Sequence, residues 1–157
     1  MSDAAPRLGS GAGARGTVID DGAVRLEFLR THADTDGAHH EMRATYRPGS
    51  PFPPAHLHPR QDECFEVREG ALLFVIDGAH QRVAAGETID VPRGSVHQAR
   101  NDGDVPAVAI WRTSPARRTA EFFLAAAAAR QRDDLEALLA VLEEFRDVFV
   151  LAEQPEA

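Results

Sequence analysis

The sequence predicts an all-β body, a sandwich or small barrel, followed by a short helical extension on its C-terminal side. Three observations lead there. Between Val18 and Thr113 the chain breaks into short segments of strand character, separated by glycine, proline and aspartate turns. Several of these segments alternate apolar and polar residues, the period of a strand with one buried face. After Pro115 the texture changes to alanine- and leucine-rich stretches with helical spacing.

Residues 1–16, small, polar and glycine-rich, read as a mobile tail; 17–114 read as the β body and 115–157 as the extension. "AVRLEFL" (23–29) and "HEMRATY" (40–46) alternate as half-buried strands do. "ALLFVID" (71–77) meets Asp77-Gly78, a two-residue hairpin signal, and returns through "AHQRVAA". "GETIDVP" (86–92), "SVHQARN" (95–101) and "AVAIWRT" (107–113) continue the series. Thr119 is expected to cap a helix through "AEFFLAAAAAR", and a second helix over 133–145 places Leu135, Leu138, Leu139, Leu142 and Phe145 on one stripe. In segment 71–77, Leu72, Phe74 and Ile76 form one face, yet Leu73 and Val75 on the other are apolar too. A strand apolar on both faces is covered on both, so the C-terminal helices or a second subunit should cover Leu73 and Val75, and a homodimer is expected.

Composition narrows the function. The net charge of −8 argues against nucleic acid or an anionic membrane surface as the partner, and leaves a small molecule. All 17 basic residues are arginine, which excludes chemistry through a Schiff-base lysine. The single cysteine, Cys64, excludes an intrachain disulfide framework. The N-terminal stretch has no apolar run resembling a secretory leader, and no stretch approaches membrane-spanning length, so the cytoplasm is the expected compartment.

The chemistry concentrates in "HLHPRQDECFEVREG", residues 56–70. Histidines two apart in a strand share a face, so His56 and His58 can present two imidazoles to one point. A turn at "PRQD" would return Glu63 to that point, and strand pairing could bring His97 there from "GETIDVPRGSVHQARN". Three imidazoles and a carboxylate suit a mononuclear first-row transition metal and can leave positions open to substrate, water or oxygen.

Both stretches resemble the motifs of the cupin superfamily. The first runs Gly49, six residues, His56, Leu57, His58, four residues, Glu63, six residues, Gly70; its first spacer is one residue longer than the usual five, within the loop "GSPFPPA". The second runs Gly86, Pro92, Gly94, His97, Asn101, with every interval met. Together they cover 49–101, and the tail from "RRTAEFF" onward is similar to that of small single-domain bacterial cupins with a C-terminal helical extension. The resemblance implies a cupin double-stranded β-helix, a jelly-roll barrel. It also implies one divalent transition metal per chain on His56, His58, Glu63 and His97, with Fe(II) ahead of Mn, Ni or Zn.

Strand phase then selects the pocket. With Glu63 facing inward, Phe65 and Val67 follow it and Cys64 does not. His40, Met42 and Tyr46 share a phase on their strand, Phe74 faces the interior, and Trp111 has a phase ambiguous between packing and pocket wall. His39 points opposite to His40, while His32 and His80 lie near turns and read as solvated. Tyr46 is the candidate catalytic group, a proton donor expected to enter the cavity beside the metal. The mainly apolar wall suits a hydrophobic or aromatic substrate. The leading reading is a metal-dependent enzyme performing oxygenation or redox-neutral isomerisation, cyclisation or lysis, as in a tailoring step of specialised metabolism. The alternative is a non-catalytic metal- or metabolite-binding or sensory cupin, although no helix-turn-helix accompanies the barrel.

Overall fold

A computed structural model describes residues 13–153. Its order begins β1 (Val18–Asp20), β2 (Val24–Arg30), α1 (His32–Thr35), β3 (His40–Tyr46), β4 (His56–Leu57), β5 (Asp62–Glu69), β6 (Ala71–Ile76) and β7 (Ala79–Ala84). It continues β8 (Thr88–Val91), β9 (His97–Arg100), β10 (Ala107–Ser114), α2 (Thr119–Gln131), α3 (Leu135–Glu144) and β11 (Val150–Leu151). Two antiparallel sheets, ordered β1-β2-β3-β10-β5-β8 and β11-β4-β9-β6-β7, face each other as a jelly-roll barrel.

The alternation read from the sequence is what fills the barrel. On β3, His40, Met42, Ala44 and Tyr46 are buried while Arg43 is exposed; on β5, Glu63, Phe65 and Val67 are buried. Phe28, Phe65, Leu72 and Phe74 join them in one core, each worth roughly 1.5–3 kcal/mol of apolar burial. The Asp77-Gly78 pair takes positive φ at both positions (48° and 85°), as a type I′ hairpin requires. Gly70 has no substitute: its φ is +66°, and a Cβ there would sit 2.6 Å from the Pro106 carbonyl oxygen.

The ends of the chain depart from expectation. Of the tail expected over 1–16, residues 1–12 lie outside the described residues. Residues 13–16 dock instead: Gly13 is buried and the Gly16 N–H donates to the Phe28 carbonyl (2.8 Å). Thr119 is not the cap of α2. Arg118 holds that position, and the Thr119 hydroxyl turns inward, donating to Ala116 O (2.7 Å) and accepting from Gln61 Nε2 (2.8 Å). The α3 stripe is split, with Leu138 and Leu142 packing beside Phe122, Phe145 and Val148, while Leu135 and Leu139 stay exposed (69% and 56%). The helices pack mainly on each other and against β1, with Phe123 reaching Trp111. Leu73 and Val75 therefore remain half-buried on the outer face of β6, opposite Arg100 and Gln98 of β9.

Candidate metal centre

Register brings the four predicted ligands together. His56 lies directly opposite His97 in the β4–β9 pair, and His58 follows two residues on. The chain then turns through Pro59–Gln61 into β5, whose Glu63 enters from the facing sheet. Two contacts hold that turn against the Pro92–Gly94 turn before His97: the Gly94 N–H donates to His58 O (2.9 Å) and the Arg93 N–H to Asp62 Oδ1 (2.9 Å). The two motifs are thus tied together by one backbone–backbone bond and one backbone–carboxylate bond.

The ligating atoms of His56, His58 and His97 lie within 4.8 Å of one another. Glu63 Oε1 is 3.3 Å from His58 Nε2 and 2.9 Å from His97 Nε2. Each imidazole also has its Nδ1 against a carbonyl oxygen: Pro54 for His56 (2.9 Å), Val148 for His58 (2.7 Å) and Ser95 for His97 (2.9 Å). A carbonyl only accepts, so every Nδ1 carries the proton and every neutral ring turns a bare Nε2 lone pair inward. The His58 and His97 Nε2 atoms and Glu63 Oε1 have no other partner among the described residues. Lone pairs converging at these distances in a buried site repel unless a positive charge lies between them, and a divalent cation meets that demand.

The electrostatics centre on Glu63. Burial pushes His56 down to about 4, with His97 and His58 adding to it. Burial opposes the charged form of His58 as well, but the Glu63 carboxylate outweighs it and the pKa rises. Burial likewise acts to raise Glu63, yet His58 and His97 hold it well below the usual carboxylate range. Glu63 is thus an anion at neutral pH. Its second oxygen, Oε2, accepts from the Trp111 indole N–H (2.7 Å), with the Thr113 hydroxyl at 3.5 Å. That leaves Oε1 directed at the imidazoles.

The other predicted residues separate into two groups. Met42, Phe65, Val67 and Phe74 face the interior as expected and pack on one another, Phe65 edge-on to Phe74 at 5.0 Å. Trp111 is resolved as interior, stacked on Phe65 (4.9 Å) and bonded to Glu63. His40 shares the Glu63 row, since His40 pairs with Thr113 and Thr113 with Glu63, roughly 10 Å across two strand spacings. It is fully buried, edge-on to Phe28 at 4.6 Å, with neither nitrogen partnered among the described residues, and burial lowers it to about 4.

Tyr46 keeps its inward phase, and register sets its depth. It faces inward, but it pairs with Ala107, three rows beyond the His40 row, roughly 20 Å along the strand. Its backbone is anchored toward the opposite end of the barrel rather than beside the ligands, where its carbonyl accepts from Asn101 Nδ2 (3.1 Å). Burial pushes its phenol up, with the Glu63 charge a secondary cause.

Sequence reasoning missed three contributors. Val148 supplies only a backbone carbonyl, which leaves no trace in side-chain identity. Phe149 stacks on His56 at 4.5 Å and 20°, though "VFVL" reads merely as an apolar run. Gln61, buried and bonded to Pro115 O, Ala116 O and Thr119 Oγ1, ties β5 to the start of α2; its shared phase with Glu63 was the available signal.

Comparison with known proteins agrees with this architecture. The cupin domain family matches residues 42–112. Nectarin-1 from Nicotiana langsdorffii x Nicotiana sanderae is 41% identical over 73 residues, 43% of this chain and 31% of that protein. The tetracenomycin polyketide synthase protein TcmJ of Streptomyces glaucescens is 35% identical over 60 residues, 38% of this chain and 40% of that protein. The chain thus spans well under half the length of these relatives. Among solved structures, oxalate oxidase in complex with the substrate analogue glycolate superposes with a TM-score of 0.53 at 27% identity, covering 70% of this chain and 60% of that one. No described helix is long and apolar enough to cross a membrane.

Proposed function

Because residues 42–112 match the cupin domain family, we propose that the chain is a cupin and a mononuclear metal-dependent enzyme acting on a small, uncharged, hydrophobic or aromatic molecule. The observation that carries this is the set of Nε2 lone pairs on His56, His58 and His97, meeting Glu63 Oε1 with every Nδ1 proton already donated to a carbonyl. These four residues would hold one divalent first-row cation, Fe(II) first and Mn, Ni or Zn as alternatives. Bound there, the cation supplies Lewis acidity toward a substrate oxygen and, where it is iron, redox chemistry with dioxygen.

The chain's own residues set the selectivity. Glu63 contributes one negative charge, and the Trp111 N–H keeps it aimed. Phe65, Phe74, Met42 and Val67 exclude water and lower the local dielectric, which strengthens every interaction at the centre. No arginine is among the buried charged residues of the described chain, so among the described residues an anionic substrate would meet no compensating side-chain cation inside the barrel. That disfavours small dicarboxylates and phosphates and favours neutral rings. The likeness to a polyketide synthase protein is in keeping with a tailoring reaction in specialised metabolism.

The test is reconstitution of chelator-stripped protein with Fe(II), Mn(II), Ni(II) and Zn(II). Each form is offered neutral phenols, quinones and polycyclic aromatics beside oxalate, glycolate and sugar phosphates, with and without oxygen. Turnover of a neutral aromatic by at least one metal form, abolished by chelation, supports the proposal. Turnover confined to the anions overturns the substrate class. A second reading, binding without turnover, draws on the burial of His58 Nε2, His97 Nε2 and Glu63 Oε1; saturable aromatic binding with no product from any metal form would establish it. We further propose a homodimer using the half-buried Leu73 and Val75 and the exposed Leu135 and Leu139. A monomer mass by light scattering at micromolar concentration would contradict that.

A further inference from the structure

We infer that residues 145–152 form a strap that completes the metal centre, with Val148 and Phe149 as positioning residues for His58 and His56, so that metal binding and strap docking reinforce each other. This rests on the metal-centre reading given above.

The strap touches the centre at three places. The Val148 carbonyl accepts the His58 Nδ1–H at 2.7 Å, the shortest of the three imidazole–carbonyl bonds and the one that comes from 90 residues away. The Phe149 ring lies nearly parallel on His56 at 4.5 Å and meets His58 edge-on at 5.9 Å. β11 pairs with β4, setting Leu151 opposite His56, and the Ala152 N–H donates to Ala55 O (2.9 Å). β4 has only two residues, and β11 occupies the edge that β9 leaves free. The strand that presents His56 is therefore half-built from the strap.

The far side of the strap is held by the helices. Phe149 stacks on Phe122 at 4.9 Å, Phe145 packs edge-on to Phe122 at 5.8 Å, and Arg118 lies over the Phe145 ring at 4.3 Å while pairing with Asp147 at 2.7 Å. The helical extension thus anchors a segment whose opposite face orients two ligands. With His58 Nε2, His97 Nε2 and Glu63 Oε1 buried, the ladder of two residue pairs, one ring stack and two hydrogen bonds of the strap yield more easily than the packed aromatics of the interior. Undocking the strap would free His56 and His58 to reorient. Linkage requires that whatever factor the docked strap adds to metal affinity, metal adds to strap docking.

The experiment uses the full chain and Zn(II) alone as probe, with affinity read by chelator competition and the strap by hydrogen exchange at the Ala152 amide. Phe149→Ala is expected to weaken Zn(II) binding about 10- to 100-fold, in the range for lost ligand-orienting partners, and to speed metal release. Phe149→Tyr, which keeps the stacked ring, should restore near wild-type affinity. Asp147→Ala loosens the anchor without touching a ligand and should weaken binding roughly two- to fivefold. Zn(II) should slow exchange at Ala152 in the wild type more than in Phe149→Ala. If Phe149→Ala does not fold, Asp147→Ala and the metal dependence of wild-type exchange decide alone. Equal affinities in all variants, or Ala152 exchange indifferent to metal, overturn the strap while leaving the metal centre intact. Failure of the wild type to bind metal would instead overturn the centre itself.

Discussion

The two ends of one barrel interior treat buried polar groups in opposite ways. At the far end Asn101, 1% exposed, donates from Nδ2 to Tyr46 O (3.1 Å) and Val105 O (2.7 Å), and its Oδ1 accepts from Gly103 N (2.9 Å). Its own N–H donates to Ser50 Oγ (3.0 Å), which closes the loop after β3. At the near end the Nε2 atoms of His58 and His97, Glu63 Oε1 and both nitrogens of His40 are equally buried and lack such partners among the described residues. Burial is the same; satisfaction is not. A buried polar group with every bond made holds a fold together, whereas several left open toward one point ask for something from outside. Asn101 and His97, four residues apart in one motif, fall on opposite sides of that divide.

The largest effect expected from breaking this contrast is at the ligands. His58→Ala or His97→Ala should lose essentially all bound metal, measured by elemental analysis of the purified protein. Chelation of the wild type should lower Tm, since metal at a thousandfold excess over Kd contributes about 4 kcal/mol and a domain of this size shifts by roughly 2–4 °C per kcal/mol. Full metal retention in a His56→Ala, His58→Ala double variant would remove the near end from the comparison altogether.

Next comes His40, the unpartnered imidazole of the ligand row. Its folded pKa of about 4 lies below the unfolded value of 6.5, so between these pH values the unfolded chain binds more protons. Its contribution is fully present above pH 6.5 and shrinks as pH falls toward 4, by on the order of 3 kcal/mol in all. Denaturant melts should therefore show the wild type losing stability relative to His40→Leu as the pH drops through that window. Parallel curves from pH 7 to 4 would show His40 to be paired after all.

Asn101→Ala sharpens the contrast from the other side. It should cost about 1–3 kcal/mol, because the carbonyls of Tyr46 and Val105 and the Gly103 N–H lose their partner, while metal stoichiometry stays at one. Trp111→Phe should do the reverse, holding Tm within a few degrees while metal affinity falls about tenfold or more as Glu63 Oε2 loses its N–H. If Asn101→Ala emptied the site, or Trp111→Phe left affinity untouched, the two ends would not be separable.

The near end was legible in sequence because motif spacing and the two-residue period of a strand act on side chains that the sequence names. The imidazoles of His56, His58 and His97 gather at one point, with Glu63 against the last two. What escaped that reading travels through the backbone or through distant packing. The Val148 carbonyl has no sequence signature, and the Phe149 stack depends on where α2 sets Phe122. The Leu135 and Leu139 stripe satisfied helical periodicity, yet among the described residues only its Leu138 and Leu142 side met a partner. Tyr46 shows the limit of phase arguments most clearly. Alternation correctly sent it inward, but depth along a strand is set by register, which alternation does not contain.

Tyr46 is also where the smallest effect is expected. Its carbonyl belongs to the far end through Asn101, while its phenol, pushed up by burial, still feels the charge of Glu63. It is the one side chain with a stake in both. Tyr46→Phe keeps the ring and removes only the hydroxyl, so the Asn101 bond to the backbone and the packing of the core should be untouched. Its backbone lies three rows from Glu63 while the Glu63 charge still acts on the phenol, so the hydroxyl is expected to tune the centre rather than move a proton there. Turnover of whatever aromatic substrate is identified should accordingly change less than the 10²–10⁴-fold typical of a lost general acid, and remain within about threefold, with Tm and metal content unaltered. A tenfold or greater fall under those conditions would mean that the substrate spans the barrel from the metal to the phenol. The two ends would then be a single site.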